Sequence, residues 1–253
     1  MQSVRRSASM ILVLSVAMCL WSASAVARPG SGPRERINQT FSTKRPGAPT
    51  GISFKGSFHA ANDPKGNPPN LRRMVFHPPR GMRYDTSVPA QCDASDAQLQ
   101  IMGPDACPVD SWLGGGTTDG LIMEPVGHDF VFDHFHHHVD VLNNQNEQIV
   151  LVHSEGWTVA RGEMRPDGAI VFNLPTCFPA PPTGCVDDYI IQLANATAIY
   201  PYKRKVDGRM RSYATTPRRC PAGGFWRTRV RFDWANGATD RVVTKQPCRR
   251  RSR

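Results

Sequence analysis

After its first 27 residues this chain contains no apolar run long enough to cross a bilayer, which takes about 20 residues. It also lacks the short signatures of common catalytic scaffolds. There is no Gly-x-Ser-x-Gly turn to present a serine nucleophile, no phosphate-binding P-loop and no Gly-x-Gly-x-x-Gly dinucleotide fingerprint. No Cys-x2-Cys pair is present, which argues against a cysteine-held metal site. Helical periodicity is nearly missing. Gly 21 and Pro 22 in 253 residues favour turns over long helices. Neither an internal repeat nor a second domain boundary can be read.

What is present begins with an export signal. Arg5 and Arg6 give a positive start, Met10 to Trp21 an uncharged core of twelve residues, and Ala25-Val26-Ala27 a small-x-small cleavage site. These parts come in the order signal peptidase requires, and the core is too short for a membrane span. The expected division is a signal peptide over 1–27, an extended, disordered arm over 28–49, a single β-rich domain over 50–248 and a basic tail over 249–253. Losing Arg5 and Arg6 lowers the formal net charge from +10 to +8. Arg249, Arg250, Arg251 and Arg253 hold four of those charges at the extreme end. Such a tail is either a solvated end or a contact for a polyanion, an envelope glycan polymer among them.

Cleavage after residue 27 removes Cys19 and turns seven cysteines into six. An even count in an exported chain points to disulfides, although six cysteines allow 15 pairings. Spacing suggests three local pairs: Cys92 with Cys107, Cys177 with Cys185, and Cys220 with Cys248. Between the first two, Ser95 and Gln98 form a capping box for a short helix that Gly103-Pro104 ends. The last two flank a hairpin turning at Asn236-Gly237.

Elsewhere the pattern is one of short alternating runs. Ile52–Phe58 and Arg73–His77 are strand candidates. Phe130–Leu142 returns as Gln148–His153 through a polar loop, and Trp157–Met164 returns as Ala169–Leu174 through Pro166-Asp167-Gly168. Gly114-Gly115-Gly116 reads as a flexible stretch before Leu121-Ile122-Met123. Tyr189–Tyr202 is a long strand candidate broken near Ala194-Asn195. The expected fold is all-β and mainly antiparallel, a β-sandwich or jelly-roll-like domain with one short helix between Cys92 and Cys107.

Two segments carry a resemblance. One runs from Cys92-Asp-Ala-Ser-Asp-Ala-Gln-Leu99 through Gly103-Pro-Asp-Ala-Cys107-Pro108 to Gly114-Gly-Gly116. The other runs from Thr216-Pro-Arg-Arg-Cys220-Pro-Ala-Gly-Gly-Phe-Trp226 through Arg231-Phe-Asp-Trp-Ala-Asn-Gly237 to Cys248. With Phe76-His-Pro-Pro-Arg-Gly81, about half of the chain beyond the signal resembles a group of secreted, disulfide-containing, β-rich proteins from high-GC bacteria. The resemblance implies export and pairing of cysteines within each segment. It implies no catalytic residue.

The most chemically pointed stretch is His128-Asp-Phe-Val-Phe-Asp-His134-Phe-His136-His137-His138-Val-Asp140, with five of the eight histidines. On a strand, side chains alternate between faces. His134, His136, His138 and Asp140 then share one face, while Val131, Asp133, Phe135, His137, Val139 and Val141 share the other, more apolar and core-facing one. Imidazoles two residues apart can converge on a divalent transition metal such as zinc, with His153 or Glu155 a further ligand from the next strand. The same row also reads as a half-buried histidine–aspartate ladder without metal. Trp157, Tyr189, Tyr200, Tyr202, Trp226 and Trp234 suit either a sugar-stacking platform or a core. With the cysteines paired, no thiol nucleophile is expected. The expectation is an exported, non-catalytic β-domain with a structural or binding role at the envelope or outside the cell. The alternative is a secreted metal-binding protein or metalloenzyme built on the histidine row.

Overall fold

A computed structural model of the chain describes residues 34–126, 129–153, 156–174, 189–190 and 196–249, with side chains described outside 121–135, 189–190 and 196. Residues 1–27, expected to be an export signal, Cys177 and Cys185, expected to pair, Glu155, and Arg250, Arg251 and Arg253 lie outside the described residues. Strand β1 is Glu35–Phe41, β2 Ile52–Phe58, β3 Leu71–His77 and β4 Arg83–Tyr84. Helix α1 (Asp96–Met102) and two 3-10 turns precede the longest strands, β5 (Trp112–Val126) and β6 (Asp129–Asn144). Next come β7 (Glu147–His153), β8 (Trp157–Met164), β9 (Ile170–Asn173), β10 (Tyr189–Ile190) and β11 (Ala196–Ile199). The chain ends with β12 (Lys203–Val206), β13 (Arg209–Ser212), β14 (Ala214–Thr215), β15 (Phe225–Trp234) and β16 (Thr239–Pro247).

Twelve strands make one sheet, ordered β1-β2-β11-β5-β6-β7-β8-β9-β3-β15-β16 with β10 beside β5. Every pairing among the described strands is antiparallel. The protein is therefore all-β, as its alternating runs require. The sheet curls until its two ends meet. Gln246 Nε2 on β16 donates to the Gln39 carbonyl on β1 at 2.7 Å. The Arg249 amide donates to the Lys44 carbonyl at 2.9 Å. Arg34, just before β1, sits 3.2 Å from Asp240 of β16. These contacts join two edges between which no backbone ladder runs among the described residues, and the sheet becomes a nearly closed barrel.

One inner end is filled by Phe58, Leu71, Met74, Phe172, Phe232 and Trp234. Phe58 meets Phe232 and Trp234 edge to face, with ring centres 5.4 and 5.7 Å apart. Elsewhere Tyr213 packs with Leu113 and Val141, and its hydroxyl accepts from Gln148 Nε2 at 2.8 Å. On the outside, α1 covers β6–β8. Leu99 packs on Leu142, Ile149 and Leu151 beside the buried Cys92. Ser95 caps the helix and forms the expected box with Gln98. Arg161 of β8 fastens the helix by donating to Asp96 at 2.6 Å, Glu147 at 2.8 Å and the Ala94 carbonyl at 2.8 Å. Cys92–Cys107 and Cys220–Cys248 are disulfides, and such staples fit an oxidising compartment. No helix among the described residues is long and apolar enough to cross a membrane.

Two expectations change. The segment 28–49 is not an arm throughout, because Glu35–Phe41 pairs with β2 along its whole length. Two of the inward positions on β1, Glu35 and Gln39, are polar, and this hides the period-2 pattern. Gly114-Gly115-Gly116 lies inside β5. A Cβ at Gly114 would stand 2.0 Å from the Ala198 carbonyl oxygen, and one at Gly115 2.6 Å from that of Val139. Glycine serves close strand approach at this place, not a hinge.

Candidate ligand cavity and the histidine row

The barrel holds a partly open cavity of about 180 Å³. Its wall follows from the pleat, since every second residue of each strand points inward. Strands β6 and β7 contribute Val139, Val141, Val150 and Val152, and β2 and β9 contribute Phe54 and Phe172. Small inward residues leave the space open. On β8 the inward series is Thr158, Ala160, Gly162, and a Cβ at Gly162 would lie 2.4 Å from the Phe172 ring. No lining residue is charged, and the polar ones are Gln39, Gln148, Thr118, Thr158, Thr197, Thr228 and Tyr84, whose hydroxyl is turned to Met82 Sδ at 3.8 Å. Gln148 is committed to Tyr213. For scale, an apolar cavity of roughly 150 Å³ lined by Leu, Ile and Phe stays dry and takes up benzene.

The outer face of β6 carries the histidine row. His136 stands opposite Asp119 of β5, and its Nδ1 is hydrogen-bonded to that carboxylate. His138 Nε2 lies 3.3 Å from Asp140 Oδ1, which also accepts from Trp112 Nε1 at 2.8 Å. Asp140 is buried while both imidazoles are exposed. The alternation is as expected, with Val139 and Val141 turned inward. The two described imidazoles nevertheless address separate carboxylates. Among the described residues no three His, Cys, Asp or Glu side chains are grouped closely enough to hold a metal ion. The side chain of His134 lies outside those described. His137, on the other face, is half-buried. Burial holds its imidazole below the ordinary value, and His153 and His136 add to this.

The aromatic residues divide. Trp226 and Trp234 are core, 2% and 3% exposed. Tyr200 is exposed and leans on Trp112, with ring centres 5.6 Å apart. Trp157 stacks on His153 at 4.3 Å. Of the basic tail, Arg249 alone is described, and its amide is tied to Lys44 at the seam. The cavity itself was not read from the sequence. Its signal was there in the inward series Gln148, Val150, Val152 and Thr158, Ala160, Gly162, small or β-branched residues where a filled core would carry larger ones. No family model matches the chain, and no curated protein or solved structure is similar to it at a significant level.

Proposed function

We propose that this protein is an exported, non-catalytic binding domain that holds a small apolar molecule inside its barrel. The observation that carries the reading is the uncharged, largely apolar cavity of about 180 Å³ in the centre of the sheet. Binding sites of this kind are concave, mostly apolar and equipped with a few polar groups that orient the ligand. The mouths and interiors of β-barrels are a recurrent place for them. The signal-like first 27 residues and the two disulfides support action outside the cytoplasm.

Toluene titrated into the oxidised protein tests this, followed through the methyl resonances of Val139, Val150 and Val152. Saturable shifts at these valines, abolished in Ala160→Leu, are expected. Ala160 lines the cavity, and a leucine there fills it. A thermal melt of the variant separates loss of binding from loss of fold. Absence of saturable shifts in a folded wild-type protein overturns the reading.

A further inference from the structure

The cavity wall carries more hydrogen-bonding capacity than the protein itself satisfies. Gln39 Oε1, Thr118 Oγ1, Thr158 Oγ1 and Thr228 Oγ1 are buried without a hydrogen-bond partner, and all four residues line the cavity. Gln39 is 6% exposed and Thr228 1%. A buried polar atom left unpaired loses its hydration without compensation, so most such atoms in folded proteins have partners.

Register places these groups. Gln39 pairs with Phe54, Phe54 with Thr197, Thr197 with Gly116, Gly116 with Val139, Val139 with Val152, and Val152 with Thr158. Gln39 and Thr158 therefore lie on one ring around the barrel. Thr228 stands across the seam on β15, opposite Thr244. Gln246 beside it donates to Thr244 Oγ1 and to the Gln39 carbonyl, both at 2.7 Å. That amide nitrogen is used within the seam, and the side-chain oxygens of Gln39 and Gln246 remain, of which the Gln39 residue lines the cavity. An amide oxygen can only accept, whereas a threonine hydroxyl can accept or donate. The seam end of the cavity therefore offers an unused acceptor, and with no charge on the wall a neutral donor matches it.

We infer, on the proposed reading of the cavity as a binding site, that its ligand is a small neutral hydroxyl compound of the size of one ring. The hydroxyl donates to Gln39 Oε1, and the apolar body lies against Val139, Val150 and Phe54 of the same wall. A volume of about 180 Å³ exceeds only slightly the space that takes benzene, which limits the body to a single ring or a short chain.

Phenol and toluene test this, because they differ by a hydroxyl in place of a methyl and are nearly equal in size. Both are titrated into the oxidised protein by calorimetry. Phenol should bind about tenfold more tightly, the ratio expected when a buried unpaired acceptor gains a donor. In Gln39→Met the ratio should fall to about one. Gln39→Leu carries the same test should Gln39→Met fail to fold. Equal affinities for the two probes in the wild-type protein overturn the hydroxyl assignment and leave the apolar site standing. A phenol preference that persists in a folded Gln39 variant also overturns it. Failure of both probes to bind overturns the cavity reading itself.

Discussion

Single residues decide how much room the barrel keeps. Gly162 faces Phe172 across β8 and β9, and the ring occupies the place of a side chain. Gly162→Ala should push Phe172 into the cavity. A loss of roughly 1–3 kcal/mol is expected, as for other overpacked cores. Toluene affinity should fall as well, while a conservative change on the outer face, such as Thr117→Ser, leaves it unaltered. Urea denaturation and the methyl titration read the two effects separately. A second single-residue feature is Asp140, buried beneath Trp112 and His138. The sequence shows that His138 and Asp140 share a face, because alternation needs only the positions. It does not show that His136 turns to Asp119, because that carboxylate arrives from β5 by a register set over the whole hairpin.

Among the elements, the hairpins were legible and the order of the sheet was not. The turn over Pro166-Asp167-Gly168 has Gly168 at φ +84°, and the one at Asn236-Gly237 has Gly237 at φ +81°. These positions call for glycine, so the residues announce them. The capping box of α1 is equally local. By contrast β3 enters between β9 and β15, and β11 between β2 and β5. Such pairings leave no local mark in the chain, and the cavity exists only once they are all made. The seam between β1 and β16 was likewise unread, since Glu35 and Gln39 look like surface residues in an arm.

At that seam Glu35 is buried, and burial together with Asp240 beside it pushes its carboxyl up to about 8. The ordinary value is 4.5. The folded chain therefore holds a proton that the unfolded chain releases in this range, and folding takes up a proton between the two values. The associated stability is fully present below about 4.5 and is lost as pH rises through about 8. Glu35→Gln has no such proton to release. It should exceed the wild-type protein by roughly 1–3 kcal/mol at pH 9 and differ little at pH 4. Urea midpoints at the two pH values decide, and parallel pH profiles would count against a buried proton at the seam.

For the molecule as a whole, the two described disulfides have different duties. Cys92–Cys107 closes the helical cover on the outside of β6–β8, whereas Cys220–Cys248 clasps β15 to the end of β16. Each closure should contribute roughly 3 kcal/mol through the unfolded chain, given loops of 15 and 28 residues. Their effects on the cavity should differ. The paired change Cys220→Ser with Cys248→Ser loosens the strand that completes the wall, so toluene affinity should fall together with stability. Cys92→Ser with Cys107→Ser should lower stability by a similar amount and leave affinity nearly intact. Equal losses of affinity in the two double variants would contradict this division.

The meeting of the first and last strands also sets an order of events. Gln39 and Gln246 are joined across 207 positions of chain. A polypeptide that emerges with its N-terminus first, from a ribosome or through a secretion channel, holds β1 and β2 long before β16 arrives. Until then the interior is an open trough, and the long-range pairing that seals it is slow. The wall can therefore close only after β16 has been made, and the contact between Gln39 and Gln246 is among the last that the fold can form.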